Sequence, residues 1–441
     1  AEVVDTVDIL RVDTSSMCES CEAGKYVALP GVEGQTTASL KRPAYRSAAA
    51  VLGSTAFFAG GRDGTSAWGT SVDIDMYDAA SDTWTSKALS QRRTYLAAVA
   101  AGGKMLIGYG KTQNGWYPNA LDIYDPVEGW STVVIPHPRY GVGAAAVGSQ
   151  AFFAGGGTDT DKTRVAQVDI YDTASGAWSV GEDLTVGRWE PAGASVGSKV
   201  IFAGGANHEA PGDTVSAVDI IDTMTNARTS GALSVGRKRM AVATAGSLVV
   251  FAGGRIITGD GVQLESDRVD IYDASDGSWS TASLSQARSS AAAATMGHAV
   301  YVGGGLGSDG ETLDVIEIFD AVRRRWSVAT SKLSRARCLL VGVGVGGKVV
   351  YAGGVPSATD LVNPHYVAEV VDTVDILRVD TSSMCASCEA GKYLGSEASG
   401  GVSCLDCPAN ATSPVGSDGL DDCTCLAGFT GPDGGDCVRC L

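Results

Sequence analysis

Ser247-Leu-Val-Val-Phe-Ala-Gly-Gly254, then Val269-Asp-Ile-Tyr-Asp273, then Trp279: these three pieces, in this order, decide the fold. The first is a β-branched and aromatic run closed by glycines, and the second alternates as a strand does. A small-residue apolar segment, Met240–Gly246, precedes them. A turn, Ala274-Ser-Asp-Gly277, leads into Trp279 and a last strand through Leu284. The unit therefore reads as four short strands joined by turns, a meander that cannot bury its own apolar face.

The unit recurs. The glycine-closed run appears as Phe58-Ala-Gly-Gly61, Ile107-Gly-Tyr-Gly110, Phe153-Ala-Gly-Gly156, Phe202-Ala-Gly-Gly205, Phe251-Ala-Gly-Gly254, Val302-Gly-Gly-Gly305 and Tyr351-Ala-Gly-Gly354. A fixed period of roughly fifty residues marks an array whose members bury their faces against one another. Four-stranded units repeated around an axis make a β-propeller, which leaves few strand edges exposed.

In their order and spacing the apolar run, the glycine pair, the Tyr-Asp and the Trp resemble kelch repeats of the galactose-oxidase-like propeller superfamily. The resemblance covers roughly residues 34–384. Tyr-Asp occurs at Tyr77, Tyr124, Tyr171 and Tyr272, and as Phe319-Asp320; the tryptophans are Trp84, Trp130, Trp178, Trp279 and Trp326. The fourth unit departs, with Ile221-Asp222 and Arg228. The expected fold class is all-β, a seven-bladed kelch-type propeller of four-stranded blades. In that setting the glycines allow close backbone approach and the tryptophans pack between blades.

The seventh unit supplies Leu339–Val345, Lys348–Gly354 and Val374–Val379, but Met384 runs into Cys385 with no Trp strand between. Thr37-Ala-Ser-Leu40 matches Thr281-Ala-Ser-Leu284, so the strand around Gln35–Leu40 is expected to close the last blade. Residues 1–26 and 368–393 are identical except for Glu19 against Ala386. That identity reflects recent duplication, sequence exchange or an error of gene assembly. Residues 1–33 are therefore read as a duplicated linker, and tandem propellers in a parent chain are an expectation. The start at Ala1, without a signal pattern, reads as an excerpt of something longer.

Residues 385–441 form a third region, a small disulfide-rich module. Cys385, Cys388, Cys404, Cys407, Cys423, Cys425, Cys437 and Cys440 crowd it. The first four have zinc-ribbon spacing, but the added cysteines favour disulfides and an oxidising compartment. The segment resembles ephrin-receptor-like cysteine repeats, and Cys425-Leu-Ala-Gly-Phe-Thr-Gly resembles an EGF-type turn. These likenesses imply an extracellular or cell-surface protein, for which Asn410-Ala-Thr412 offers a glycosylation acceptor.

Charge narrows the partners. With 33 basic and 50 acidic residues, net −17, the chain lacks the surplus that nucleic acid binding requires. No apolar run is long enough to insert into a membrane. His137, His208, His298 and His365 show no ligand spacing, and Cys338, in a strand, reads as a buried small residue, so no catalytic residue, metal or cofactor is expected. An arginine precedes each blade: Arg46, Arg93, Arg139, Arg188, Arg237, Arg288 and Arg337. At equivalent positions these would ring one mouth of the channel and suit carboxylates or phosphates; alternatively they form inter-blade hydrogen bonds. Loops after the glycine pairs add Trp68, Trp116, Tyr117, His208, His365 and Tyr366. The expected function is a non-enzymatic interaction module that binds a protein or glycan on this face. A carbohydrate-acting propeller enzyme and a structural spacer are the alternatives.

Overall fold

A computed structural model describes residues 32–64, 69–158, 164–207, 214–357 and 369–379, together with 25–26 and short stretches between 386 and 439. Two compact units separate, one spanning Gly34–Arg378 and the other Ala1–Glu33 with Val379–Leu441.

The larger unit is a seven-bladed propeller of four-stranded antiparallel blades. Blade 1 runs Ala48–Leu52, Thr55–Ala59, Asp73–Asp78 and Thr83–Ala88. Blade 5 runs Ala241–Ala245, Leu248–Ala252, Arg268–Asp273 and Trp279–Ser283, the four strands expected from the sequence. Blade 7 takes Val341–Val345, Lys348–Ala352 and Thr373–Val379 from the C-terminal side, and its outermost strand is Val32–Ser39. The first and last strands of the propeller segment thus meet in one sheet, as the match between Thr37–Leu40 and Thr281–Leu284 implies. Gln35 Nε2 reinforces the closure by donating to Asp375 Oδ1 at 2.9 Å.

Inner strands are built from Ala, Gly and Val because they converge on the axis. Gly193 shows why: a Cβ there would lie 2.4 Å from the Ala144 carbonyl oxygen of the preceding blade. The second strands carry the bulk, with Phe57, Phe153, Phe202 and Tyr351 fully buried. Trp130 packs among blade 1 residues such as Phe57 and Met76, and Trp279 packs against Ile201 and Ile220 of blade 4. The tryptophans therefore bridge blades, as expected of large flat apolar groups. Blade 4 has Arg228 in that place, and its Nη2 donates to Asp219 Oδ1 at 2.6 Å instead.

The glycine pair stitches blades together. Gly254, at φ 111°, donates its N–H to the Arg288 carbonyl at 2.8 Å, and a Cβ on Gly253 would meet that carbonyl oxygen at 2.4 Å. Such φ values favour glycine. Blade 2 has Tyr109 at the first position of the pair, at φ 59°. Its buried hydroxyl donates to Asp169 Oδ2 of blade 3 at 2.9 Å, which supports the strained backbone.

In the smaller unit Cys407 and Cys423 form a disulfide, with sulfurs 2.00 Å apart, and Cys425 is disulfide-bonded as well. Cys404 lies in the strand Val402–Asp406. Cys385, Cys388, Cys437, Cys440 and Asn410 lie outside the described residues.

Candidate functional site

Six of the seven pre-blade arginines are inside the blades. Arg93, Arg188, Arg237, Arg288 and Arg337 have no exposed surface, and Arg139 has 2%. Each reaches the acid in the third strand of its own blade. Arg93 meets Asp122 at 2.9 Å, Arg188 meets Asp219 at 2.6 Å, and Arg237 meets Asp270 at 2.6 Å. Arg288–Glu317 is 2.6 Å, Arg337–Asp375 is 2.8 Å, and Arg139 pairs with Asp169. Remaining guanidinium hydrogens go to backbone carbonyls: Arg237 donates to those of Val235, Phe251 and Gly253. Burial lowers the pKa of Arg237 and its partner Asp270 opposes the shift. Burial works to raise Asp169, yet Arg139, Tyr109 and His137 hold it below the usual carboxylate range. Arg237 thus commits four of its five N–H donors within the blade, and its complete burial keeps it from a ligand. The structure thus places these six in the blade interior, not around the mouth.

Arg46 is in a different register. The second glycine of each pair donates to a carbonyl at the start of the next blade. The acceptors are Arg93, Arg139, Arg188, Arg237, Arg288, Arg337 and, completing the circle, Ala44. Ala44 therefore holds the seventh arginine place, and Arg46 is two residues further on. Its true equivalents are Tyr95, Gly141, Glu190, Arg239, Ser290 and Leu339. All seven have φ between 52° and 66°, as a common turn requires. Five backbone bonds link neighbours around this circle, among them Glu190 N–H to Gly141 O at 2.8 Å and Leu339 N–H to Ser290 O at 2.9 Å.

These seven residues surround a cavity of about 380 Å³ at the axis, walled by the Ala and Gly of the inner strands. A second cavity of about 570 Å³ opens beside it over blades 5 and 6 and shares Arg46 and Arg239. Lys238, Arg255, Gln263 and Glu265 line it, the last three carried by the hairpin Arg255–Ile257 with Gln263–Glu265. Charge here runs against the protein as a whole. Arg239 Nε lies 3.4 Å from Glu190 Oε2, and Arg255 Nε donates to Glu265 Oε1 at 2.8 Å. The Nε of Arg46 is buried without a hydrogen-bond partner, and its guanidinium lies 4.6 Å from the Tyr95 ring centre. Burial, then the neighbouring charge of Arg239, pushes Arg46 down to about 9. Clustered buried cations of this kind favour an anionic ligand.

An aromatic cluster adjoins these cations. Tyr95, Tyr140 and Trp189 have ring centres 5.7 to 5.8 Å apart, and Tyr117 stacks on Tyr140 at 6.0 Å. Lys111 Nζ sits 4.3 Å above the Tyr140 ring. Trp116 is 75% exposed on the same loop as Tyr117. Trp68, His208, His365 and Tyr366 lie outside the described residues. The mouth brings together Arg46 and, nearby, Tyr117, but not the other six arginines. Tyr95, Glu190, Arg239, Arg255 and Glu265 went unrecognised in the sequence; the signal that finds the first three is the place two residues after each buried arginine.

No group of three His, Cys, Asp or Glu side chains among the described residues could hold a metal ion. His137 Nδ1 instead contacts Asp169 Oδ1 at 2.9 Å, which ties it to the buried Arg139 pair. Cys338 is a buried free thiol raised to about 12 by burial. No helix among the described residues is long and apolar enough to cross a membrane.

Comparison with known proteins agrees with this architecture. Residues 287–333 match the kelch motif. The chain is thus a seven-bladed β-propeller bearing a kelch motif, a class that generally serves protein interaction. Kelch-like protein 25 of Xenopus tropicalis is 29% identical over 154 residues, 32% of this chain and 26% of that protein. The matched region thus spans about a quarter of that relative's length. The solved structure of YjhT superposes with a TM-score of 0.52 at 15% identity, covering 66% of this chain and 99% of that one, a likeness of fold.

Proposed function

We propose that the chain is a non-enzymatic interaction module that binds a partner protein at the mouth bearing Arg46 and Arg239, through an acidic segment of that partner. One observation carries the reading: the cavity lining holds two guanidinium groups, Arg46 and Arg239, against one carboxylate, Glu190, which pairs with Arg239, in a protein of net charge −17. A cationic cleft on an acidic molecule selects for anionic groups by both attraction and exclusion elsewhere. The partly exposed Tyr95 and Trp189 give the partner aromatic surface beside the charge. A glycan lying on those rings is the second reading, favoured by the aromatic cluster alone. The Cys407–Cys423 bond supports placement in an oxidising, extracellular compartment.

Selection of a random peptide display library against the intact chain tests this. The expected result is enrichment of Asp- and Glu-rich peptides whose binding is lost in Arg46→Glu and Arg239→Glu and weakens with salt. Enrichment of peptides without acidic residues, or binding indifferent to both substitutions, overturns it.

A further inference from the structure

Ala44 leaves one blade without its arginine, and the place that arginine would fill is still there. In five of the other six blades the guanidinium bonds the carbonyls two residues before it and sixteen after it, as Arg237 does with Val235 and Gly253. Counted from Ala44, those places are Arg42 and Gly60. A small cavity is lined by these two together with Ala44, Phe58, Ser71 and Asp75. Asp75 occupies the strand position of Asp122 and Asp270, and Lys41 N–H caps it as Ser90 and Ser234 N–H cap those acids. The polar groups of the socket are thus all in place, closed in around a free volume of about 10 Å³, roughly one water. Ser47 Oγ donates to the vacated Gly60 carbonyl at 3.2 Å.

No ion pair reaches Asp75 among the described residues, although it is only 7% exposed. The charged groups facing it are few. Asp73 lies on its own strand; Lys41 and Arg42 come from the segment before blade 1, and both direct their charge to Asp73, at 2.9 and 3.1 Å. Ala44, Ser47, Phe58, Gly60 and Ser71 complete the walls without charge. Burial, with a further push from Asp73, raises the Asp75 carboxyl to about 6.

The same segment is the ring closure. Leu40 N–H donates to Asp372 O at 2.8 Å, Ala44 N–H to Val371 O at 3.3 Å, and Gly354 N–H to Ala44 O at 2.8 Å. We propose that the seam between blades 7 and 1 is a pH-responsive closure: an arginine socket left empty by Ala44 keeps a carboxylate uncompensated, so the ring closes more firmly on mild acidification. The sign follows from linkage. The folded state holds the Asp75 proton more tightly than the unfolded chain, so this group adds stability as pH falls through about 6 and costs stability above it. Asp169 and Asp219, held below the usual carboxylate range by their arginines, work in the opposite sense and at lower pH.

Thermal unfolding of the whole chain and of Asp75→Asn, Ala44→Arg and Asp270→Asn, at about pH 5 and about pH 7.5, tests the seam. Asp75→Asn is expected to melt about 2–4 °C above wild type at the higher pH and by a clearly smaller margin at the lower. Asp270→Asn should melt below wild type at both. Ala44→Arg should raise the transition at the higher pH and remove the gain on acidification. Hydrogen exchange at Val32–Ser39, corrected for intrinsic rate, should slow on acidification in wild type and not in Asp75→Asn. A lower melting temperature of Asp75→Asn at the higher pH, or an equal shift at both, overturns the proposal even if Ala44→Arg fails to fold.

Discussion

Arg237 and Arg239 are two residues apart in blade 5 and do opposite things. Arg237 is inside, with a carboxylate and three carbonyls around it. Arg239 is at the channel mouth, bonded loosely to one glutamate at 3.4 Å. Arg239 is itself the left-handed residue of the turn, and its side chain lines the axis instead of the blade interior. Charge in this ring therefore has two origins. Repetition places an arginine in six of the seven blades to tie the first connection to the third strand, whereas the residues two places on vary from Gly141 to Glu190 to Arg239 because the fold asks only for the turn. What varies at a repeated position is free to carry function; what recurs carries the scaffold.

The largest effect should come from removing the strand that closes the ring. Deleting residues 34–42 exposes the edge of Thr373–Val379 and takes away the Gln35 and Leu40 bonds. The cooperative melting transition is expected to fall by 10 °C or more, by order of magnitude, or to vanish; an unchanged melting curve would show that the closure is ornamental. Next is Arg237→Ala, which leaves Asp270 buried without its cation. A cost of about 3–5 kcal/mol is expected in chemical denaturation, because a stranded buried charge loses its partner and keeps its desolvation penalty. Acid should reveal the same pairs. Asp169 and Asp219 sit below the usual carboxylate range when folded, so their contribution is complete above about pH 4 and is lost as pH falls further. A melting temperature that drops only below about pH 4 once Asp75→Asn has removed the seam effect would fit; loss already near pH 6 would not.

Much of this ring can be read in the chain. The glycine pairs, the Tyr-Asp elements and the tryptophans recur together, so blade number and strand order follow, and even the borrowed strand is visible in Thr37–Leu40. The site is harder to read for a definite reason. Arg46 has an arginine's identity and a small-residue run after it, as Arg288 has, so it aligns with the buried series by eye. The ungapped match of Thr37–Leu40 to Thr281–Leu284 sets Ala44, not Arg46, opposite Arg288, and the hydrogen bond from Gly354 to Ala44 fixes that two-residue offset. The mouth residues share no side-chain chemistry, since a positive φ was their common requirement, and a backbone angle leaves little trace in residue type when Tyr, Glu, Arg, Ser and Leu all adopt it. The partner acids are similarly distant: Asp122 follows Arg93 by 29 residues and Asp375 follows Arg337 by 38, a spacing set by loop length, not by local pattern.

The central claim is the division of labour between neighbours two residues apart, and Arg237→Ala beside Arg239→Ala tests it most directly. Each variant would be melted and titrated with an acidic peptide selected against the wild-type chain. Arg237→Ala should unfold several degrees lower and, while folded, bind as wild type does. Arg239→Ala should melt within about a degree of wild type, as expected for a site away from the core, and bind at least tenfold more weakly, about 1.4 kcal/mol. The reverse pattern, with Arg239→Ala unfolding early and Arg237→Ala losing only the peptide, would contradict the account.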